Sequence, residues 1–211
     1  MAGIITALRF QKRDANRVNI YLDDQFAFGL SALAAASLKR GLYLSDDEIA
    51  QLQAEDERQK AYQRSLRFLA YRPRTIAEVR KNLRKHDVSD SAIESVIERL
   101  LEAGYLNDME FARFWVNDRE RFRPKGPLAL RAELRQKGVA NDIIDQVIES
   151  IDMTDGAYRA GLARAQRLVN VDQQDFRKKL ASHLLRRGFT HDVVWPTVER
   201  LCQERHQPPD D

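Results

Sequence analysis

Apolar and polar residues alternate with a period of two at the start of the chain. Ile4, Thr6, Leu8 and Phe10 interleave with Ile5, Ala7, Arg9 and Gln11, and Val18, Ile20 and Leu22 resume the alternation after the polar stretch Gln11 to Arg17. Half-buried strands have this period, so the pattern predicts a β-hairpin. Asp23 and Asp24 supply a second turn and Gln25 to Gly29 a third strand. A sheet this small needs a cover to be stable. The Ala/Leu-rich run Ser31 to Arg40 predicts a covering helix, because Gly41 follows it and glycine accepts the left-handed conformation just beyond a helix end. Ser45 and Glu48 then form a capping box, in which hydroxyl and carboxylate each satisfy an orphaned amide, opening a helix to about Leu69. Its stretch Gln51 to Arg64 is mostly polar, and a flexible join to the rest of the chain is expected there.

From about residue 57 the period changes to that of helices, and the pattern repeats. The windows Arg74 to Leu100, Lys125 to Ile151 and Asp175 to Leu201 align without a gap, at spacings of 51 and 50 residues. Their apolar columns coincide: Val79, Leu130 and Leu180; Leu83, Leu134 and Leu184; Val88, Val139 and Phe189; Ile93, Ile144 and Val194; Ile97, Ile148 and Val198. Between the second and third columns lie Gly138, Gly188 and, in the first window, Asp87, a residue type that visits the left-handed region more readily than most. Each window therefore reads as helix, tight turn, helix. A further helix precedes each: one ending near Leu69, then Asp108 to Arg121, then Thr154 to Val169. Thr75 with Glu78 and Asn107 with Glu110 give start signals, and Pro127 after Gly126 suits a first helical position. Pro196 falls early in the last helix, which is expected to start late or kink.

The fold expected is mainly α: nine short helices as three tandem three-helix repeats, stacked into an elongated, curved array behind a small N-terminal module of three strands and a helix. The boundaries read as 1–56 for the N-terminal module, 57–106, 107–153 and 154–205 for the repeats, and 206–211 for a polar tail.

Composition narrows the chemistry. In 211 residues, nine Gly and six Pro argue against a turn-rich β-sandwich. A single cysteine, Cys202, excludes an intrachain disulfide framework and fits a reducing cytoplasm. The longest apolar stretch, Leu30 to Ala36, is far short of the roughly 20 residues of a membrane span, and no signal-peptide pattern opens the chain. No phosphate loop, nucleophile elbow or metal-binding spacing occurs among the four histidines and the single thiol, so neither catalysis nor a cofactor or metal is expected. Cys202, Trp115 and Trp195 read as packing residues.

What remains is basic charge at helical spacing. The net charge is only +3, but residues 61–100 carry nine Lys/Arg against five Asp/Glu, whereas 101–151 carry eight against nine. Arg80 and Arg84 share a helix face beside Lys81 and Lys85, with Val79 and Leu83 pointing inward, and Arg131 and Arg135 occupy the same columns one repeat later. Such a recurring stripe suits an extended acidic partner. A helix-turn-helix DNA-binding regulator is the alternative, because a three-helix unit with a tight turn fits that description too. Against it, the last helices expose Glu94, Glu98, Asp142, Asp145 and Glu149, where a major-groove reader needs donors. A passive solenoid scaffold is a third reading.

Three segments resemble the bacterial RecX regulatory proteins: Arg72-Pro-Arg-Thr-x-x-Glu-Val-Arg-x-x-Leu83, Gly104-Tyr-Leu-Asn-Asp-x-x-Phe-Ala112 and Lys125-Gly-Pro-Leu-x-Leu-Arg-x-Glu-Leu-Arg-x-Lys-Gly-Val139. The likeness covers most of residues 57–205, and Ile5-Thr-Ala-Leu and Tyr21-Leu-Asp-Asp-x-Phe26 are similar to the N-terminal extension of longer members. Thr75 stands where Ser is commoner, and Asp87 where the other repeats carry Gly. The resemblance implies a non-enzymatic, monomeric modulator that binds the RecA recombinase filament along its groove on single-stranded DNA. It would damp ATP hydrolysis, strand exchange in homologous recombination and the SOS response linked to DNA repair, with at most weak direct contact to DNA. On that reading Arg72, Arg74, Arg80, Lys81, Arg84, Lys85, Arg131 and Arg135 are the candidate partner-binding residues.

Overall fold

The computed structural model describes residues 2–206, with side chains through Arg205. The polar tail expected over 206–211 therefore falls, except for the backbone of His206, outside the described residues. The chain forms two compact units: the first holds the chain up to Arg72 together with Val79–Tyr105, and the second holds Pro73–Glu78 and the chain from Leu106 onward.

In the first unit, β1 (Gly3–Gln11), β2 (Asp14–Leu22), β3 (Gln25–Ser31) and β4 (Tyr43–Leu44) form an antiparallel sheet in the order β3-β2-β1-β4. Alternation places Ile5, Val18, Ile20, Leu22, Phe28 and Leu30 on the buried face. The turn between β2 and β3 has φ of 46° at Asp23 and 65° at Asp24, the doubly positive geometry whose twist matches hairpin strands. The sheet departs from the sequence pattern in two ways. It has a fourth strand, and β2 takes in most of the polar stretch, since Asp14 to Asn16 are exposed and need no apolar face. The run from Ser31 gives only one helical turn, α1 (Ala32–Ala35), capped by the Ser31 hydroxyl on Ala34 N–H. The chain then turns back to the sheet edge, where Gly41 N–H donates to Ile5 O and Ile5 N–H to Leu42 O, so pairing with β1 overrides helix propensity.

Helix α2 (Asp46–Ala70) starts at the full capping box, with Glu48 N–H on Ser45 Oγ and Ser45 N–H on Glu48 Oε2. The helix is continuous, with no flexible join. Ile49 and Leu52 pack on the sheet, Ala61 and Tyr62 are buried further on, and Asp56 between them is 3% exposed. That carboxylate accepts from Ser31 N–H at 2.7 Å and Arg17 Nη1 at 3.2 Å, and pairs with Lys60 at 2.6 Å. The polar stretch thus seats one buried charge among several donors, which fastens α2 to the strands.

Helix α2 also opens the first three-helix repeat, continued by α3 (Ile76–Arg84) and α4 (Asp90–Glu102). The second repeat is α5 (Asp108–Phe122), α6 (Pro127–Gln136) and α7 (Asn141–Glu149), and the third is α8 (Met153–Ala165), α9 (Gln173–Arg186) and α10 (His191–His206). All three members of the first, second and fourth sequence columns are at 0% exposure. The turns match bond for bond: Val88 N–H donates to Leu83 O, Val139 to Leu134 and Phe189 to Leu184, around positive φ at Asp87, Gly138 and Gly188. The last helix begins at His191 and contains Pro196, so it does not start late. Trp195 is 53% exposed rather than packed, whereas Cys202 is buried in the core of the third repeat.

Within the second unit, a tight turn seats on the start of an earlier helix twice over. Thr75 Oγ1 donates to Lys137 O at 2.7 Å and Lys137 Nζ to Glu78 at 3.0 Å; equivalently, Gly126 N–H donates to Arg187 O at 2.9 Å and Leu128 N–H to Gly188 O at 3.1 Å.

Candidate functional site

Residues of all three motif segments converge within the second unit on bonds that hold the fold. Asp108 Oδ1 accepts from Ile76 N–H at 3.0 Å, while Asn107 Oδ1 caps α5 through Met109 and Glu110 N–H. Thr75 accepts from Glu78 N–H at 3.1 Å, as a capping residue does. Trp115 stacks on Phe111, carries the Arg119 guanidinium 4.1 Å from its ring centre, and donates from Nε1 to Glu133 at 2.8 Å. Glu133 also receives Arg119 at 3.0 Å and Lys125. Burial pushes the Glu133 carboxyl up, but Lys125, Trp115 and Arg119 outweigh it and hold the group below the ordinary carboxylate range.

The candidate arginines of the stripe lie on α3 and α6. Arg80 makes a two-pronged bond to Glu94 on α4, Nε to Oε1 at 2.9 Å and Nη2 to Oε2 at 2.8 Å, and Arg84 bonds Asp90 at 3.0 Å. The second repeat reproduces both: Arg131 bonds Asp145, and Arg135 Nε donates to Asn141 Oδ1 at 2.9 Å. The sequence offsets are identical, 14 and 6 residues in each repeat. The hydrogen bond from Arg80 keeps the Glu94 carboxyl below its usual range. These arginines are therefore held in fixed orientations, three of them with their charge partly neutralised, a state that helical spacing alone does not reveal. The sequence does carry a signal for it, an acid or amide recurring at the same two offsets.

Lys81 and Lys85 are exposed, with no ion-pair partner among the described residues. Arg72 and Arg74 flank Pro73 and are half-buried. Arg72, Arg80, Lys81, Arg84 and Lys85 belong to the first unit, and Arg74, Arg131 and Arg135 to the second. Among the described residues no group of three or more His, Cys, Asp or Glu is placed to hold a metal ion.

Known proteins share this architecture. Residues 3–45 match the regulatory protein RecX N-terminal domain, 61–100 the first RecX three-helix domain and 107–148 the second. The regulatory protein RecX of Bacillus subtilis is 34% identical over 209 residues, covering 96% of this chain and 79% of its own. The chain belongs to the RecX family. RecX of Lactobacillus gasseri is 31% identical over 209 residues, covering 97% of this chain and 77% of its own. A crystal structure of regulatory protein RecX superposes with a TM-score of 0.74 at 27% identity, covering 95% of this chain and 100% of that one. The RecX domain matches fall on the sheet module and on the first two helical repeats, so most of the junctions and turns described above are built from residues of the family's own domains.

Proposed function

We propose that this RecX-family protein binds the RecA recombinase, or its filament on single-stranded DNA, and modulates it, mainly by inhibiting ATP hydrolysis, strand exchange and the SOS-promoting activity. The observation that carries the reading is the relationship, along nearly the whole chain, to proteins named as regulators. Its building blocks are the N-terminal module at 1–56 and the repeats at 57–106, 107–153 and 154–205. The residues proposed to contact the partner are Arg72, Arg80, Lys81, Arg84 and Lys85 of the first unit and Arg74, Arg131 and Arg135 of the second. Partners on α4 and α7 already fix the guanidinium groups of Arg80, Arg84, Arg131 and Arg135, so less side-chain entropy is lost when an acidic surface docks. Contacts spread over repeats sum to affinity without any one being strong. The protein acts as a monomer in the cytoplasm, without cofactor or catalysis.

A specific arrangement disfavours the helix-turn-helix reading. Glu94 and Asp145 sit on α4 and α7, the helices that would enter a major groove, and are bonded to Arg80 and Arg131. A groove-reading helix would present those carboxylates to phosphates and base acceptors.

The test is single-stranded-DNA-dependent ATP hydrolysis by RecA with substoichiometric amounts of this protein. A fall in rate supports the proposal. An unchanged rate together with tight, sequence-specific duplex binding would replace it with the DNA-binding regulator.

A further inference from the structure

The third repeat differs from the other two where its middle helix begins. In those two, that segment receives the next tight turn: Ala77 lies against Gly138, and Leu128 and Ala129 against Gly188. The aligned positions of the third repeat are Lys178 and Lys179 on α9. Residues that pack under a neighbouring turn are thus replaced by two long cations.

These lysines are not isolated. With Arg164 of α8 and Ser182 and Arg186 of α9 they line one concavity of about 200 Å³. Four cations and a hydroxyl share this space, and among the described residues the one ion pair these cations make is between Lys179 and Asp175, at 2.9 Å. Arg164 Nε is buried without a hydrogen-bond acceptor, so a strong donor of the cluster lacks an oxygen to receive it. The surroundings add to the imbalance: His183 is held below its ordinary range first by burial and then by Arg187, Arg164, Arg186 and Arg167.

We propose that Arg164, Lys178, Lys179, Ser182 and Arg186 form a phosphate-binding site that takes a phosphodiester group of a nucleic-acid strand. A tetrahedral oxyanion offers several acceptor oxygens at once, which matches a guanidinium, a hydroxyl and flexible ammonium groups better than a planar carboxylate does. The volume suits a phosphate without its nucleoside, so the base and sugar of a bound strand stay outside and the site reads no sequence. This site stands independently of the recombinase reading.

The experiment is fluorescence anisotropy of a labelled single-stranded oligonucleotide titrated with the full chain at several salt concentrations, without any recombinase. Lys178→Glu/Arg186→Glu should weaken binding at least about tenfold and flatten the dependence of log affinity on log salt by about one to two, given roughly 0.7 per phosphate contact. Lys39→Glu/Arg40→Glu changes the net charge equally on exposed residues of the first unit and should leave both unchanged. Lys178→Gln/Arg186→Gln, which adds no repulsion, should lie between, and thermal melts identify any variant that fails to fold. Equal losses in the two Glu pairs would overturn the site, as would a wild-type chain that binds no oligonucleotide. Competition separates the sources. Displacement by inorganic phosphate or ATP at lower concentration than by unlabelled oligonucleotide assigns a free phosphate instead, and displacement by polyglutamate as readily as by oligonucleotide assigns a carboxylate partner; either result overturns the strand.

Discussion

Gly188 and Ala129 lie so close that a Cβ on the glycine would fall 2.4 Å from the Ala129 nitrogen and 2.6 Å from its Cβ. Gly188 also has φ of 83°, so an L side chain is excluded twice, by the backbone region and by the neighbour. Gly188→Ala should therefore destabilise the chain by about 2–4 kcal/mol, since the left-handed region alone costs about 1–2 kcal/mol. Gly138, with φ of 80° and Ala77 Cβ 2.3 Å from the site of its missing Cβ, should behave alike. Asp87→Gly, at φ of 56°, should shift stability by no more than about 1 kcal/mol. Urea unfolding of the three variants checks the order, and an alanine at 188 as stable as wild type would show that the turn does not seat on α6.

These turns are legible in the sequence, because a left-handed residue between apolar columns has few other uses. The capping residues Ser45 and Asn107 and the first-turn Pro127 likewise mark helix starts by local chemistry. Partnerships across the turns are not legible in that way. Arg80 and Glu94 meet through the angle between two helices, which the period of one helix does not encode and only the recurrence of the same offset at Arg131 and Asp145 hints at, and Asp56 is one more polar residue until Arg17 and Ser31 are placed around it. The single turn at Ala32–Ala35 escapes the pattern for the same reason, since the edge of β1 decides where that segment goes.

Leu134 is fully buried in the core of the second repeat, in one cluster with Phe111, Leu130 and Ile144. Truncation to Ala removes that burial and leaves a cavity that packed helices close only in part, so the expected loss is about 2–5 kcal/mol. Thermal melting measures it directly. An unchanged midpoint would mean that the core columns do not carry the repeat.

Asp56 couples acid stability to the seam between the strands and α2. Burial alone pushes its carboxyl up, but Lys60, the Ser31 N–H and Arg17 more than compensate and hold it below its ordinary value of 3.8. Because the folded form binds its proton more weakly than the unfolded chain, the contribution is complete above about pH 4 and is lost as pH falls toward the lowered native value. Asp56→Asn should cost about 1–3 kcal/mol at pH 7, because the amide weakens the charge-assisted bonds from Ser31 N–H, Arg17 and Lys60, while both cations keep access to solvent. The gap between variant and wild type should narrow below about pH 4 in urea unfolding. A gap independent of pH would assign the loss to packing instead of charge.

The partner surface is tested by reversing Arg80, Arg84, Arg131 and Arg135 to Glu together. Exposed and half-exposed ion pairs contribute only about 0–1 kcal/mol each to folding, so the variant should still fold. Its melting point should be modestly lower, because the new carboxylates face Glu94, Asp90 and Asp145. If those arginines meet acidic groups of the recombinase filament, attraction becomes repulsion, and inhibition of RecA ATP hydrolysis should weaken by at least about tenfold, with residual binding less sensitive to salt. Two controls separate recognition from folding. Glu98→Lys, on an exposed residue of α4, should leave inhibition intact or improve it. Arg80→Glu combined with Glu94→Arg rebuilds an ion pair across the same two helices, restoring stability while moving the guanidinium to α4; inhibition should stay weaker than wild type if the position of the arginine is what the filament reads. A fourfold variant that melts and inhibits normally would show that the stripe is a solvated face and that the contact surface lies elsewhere.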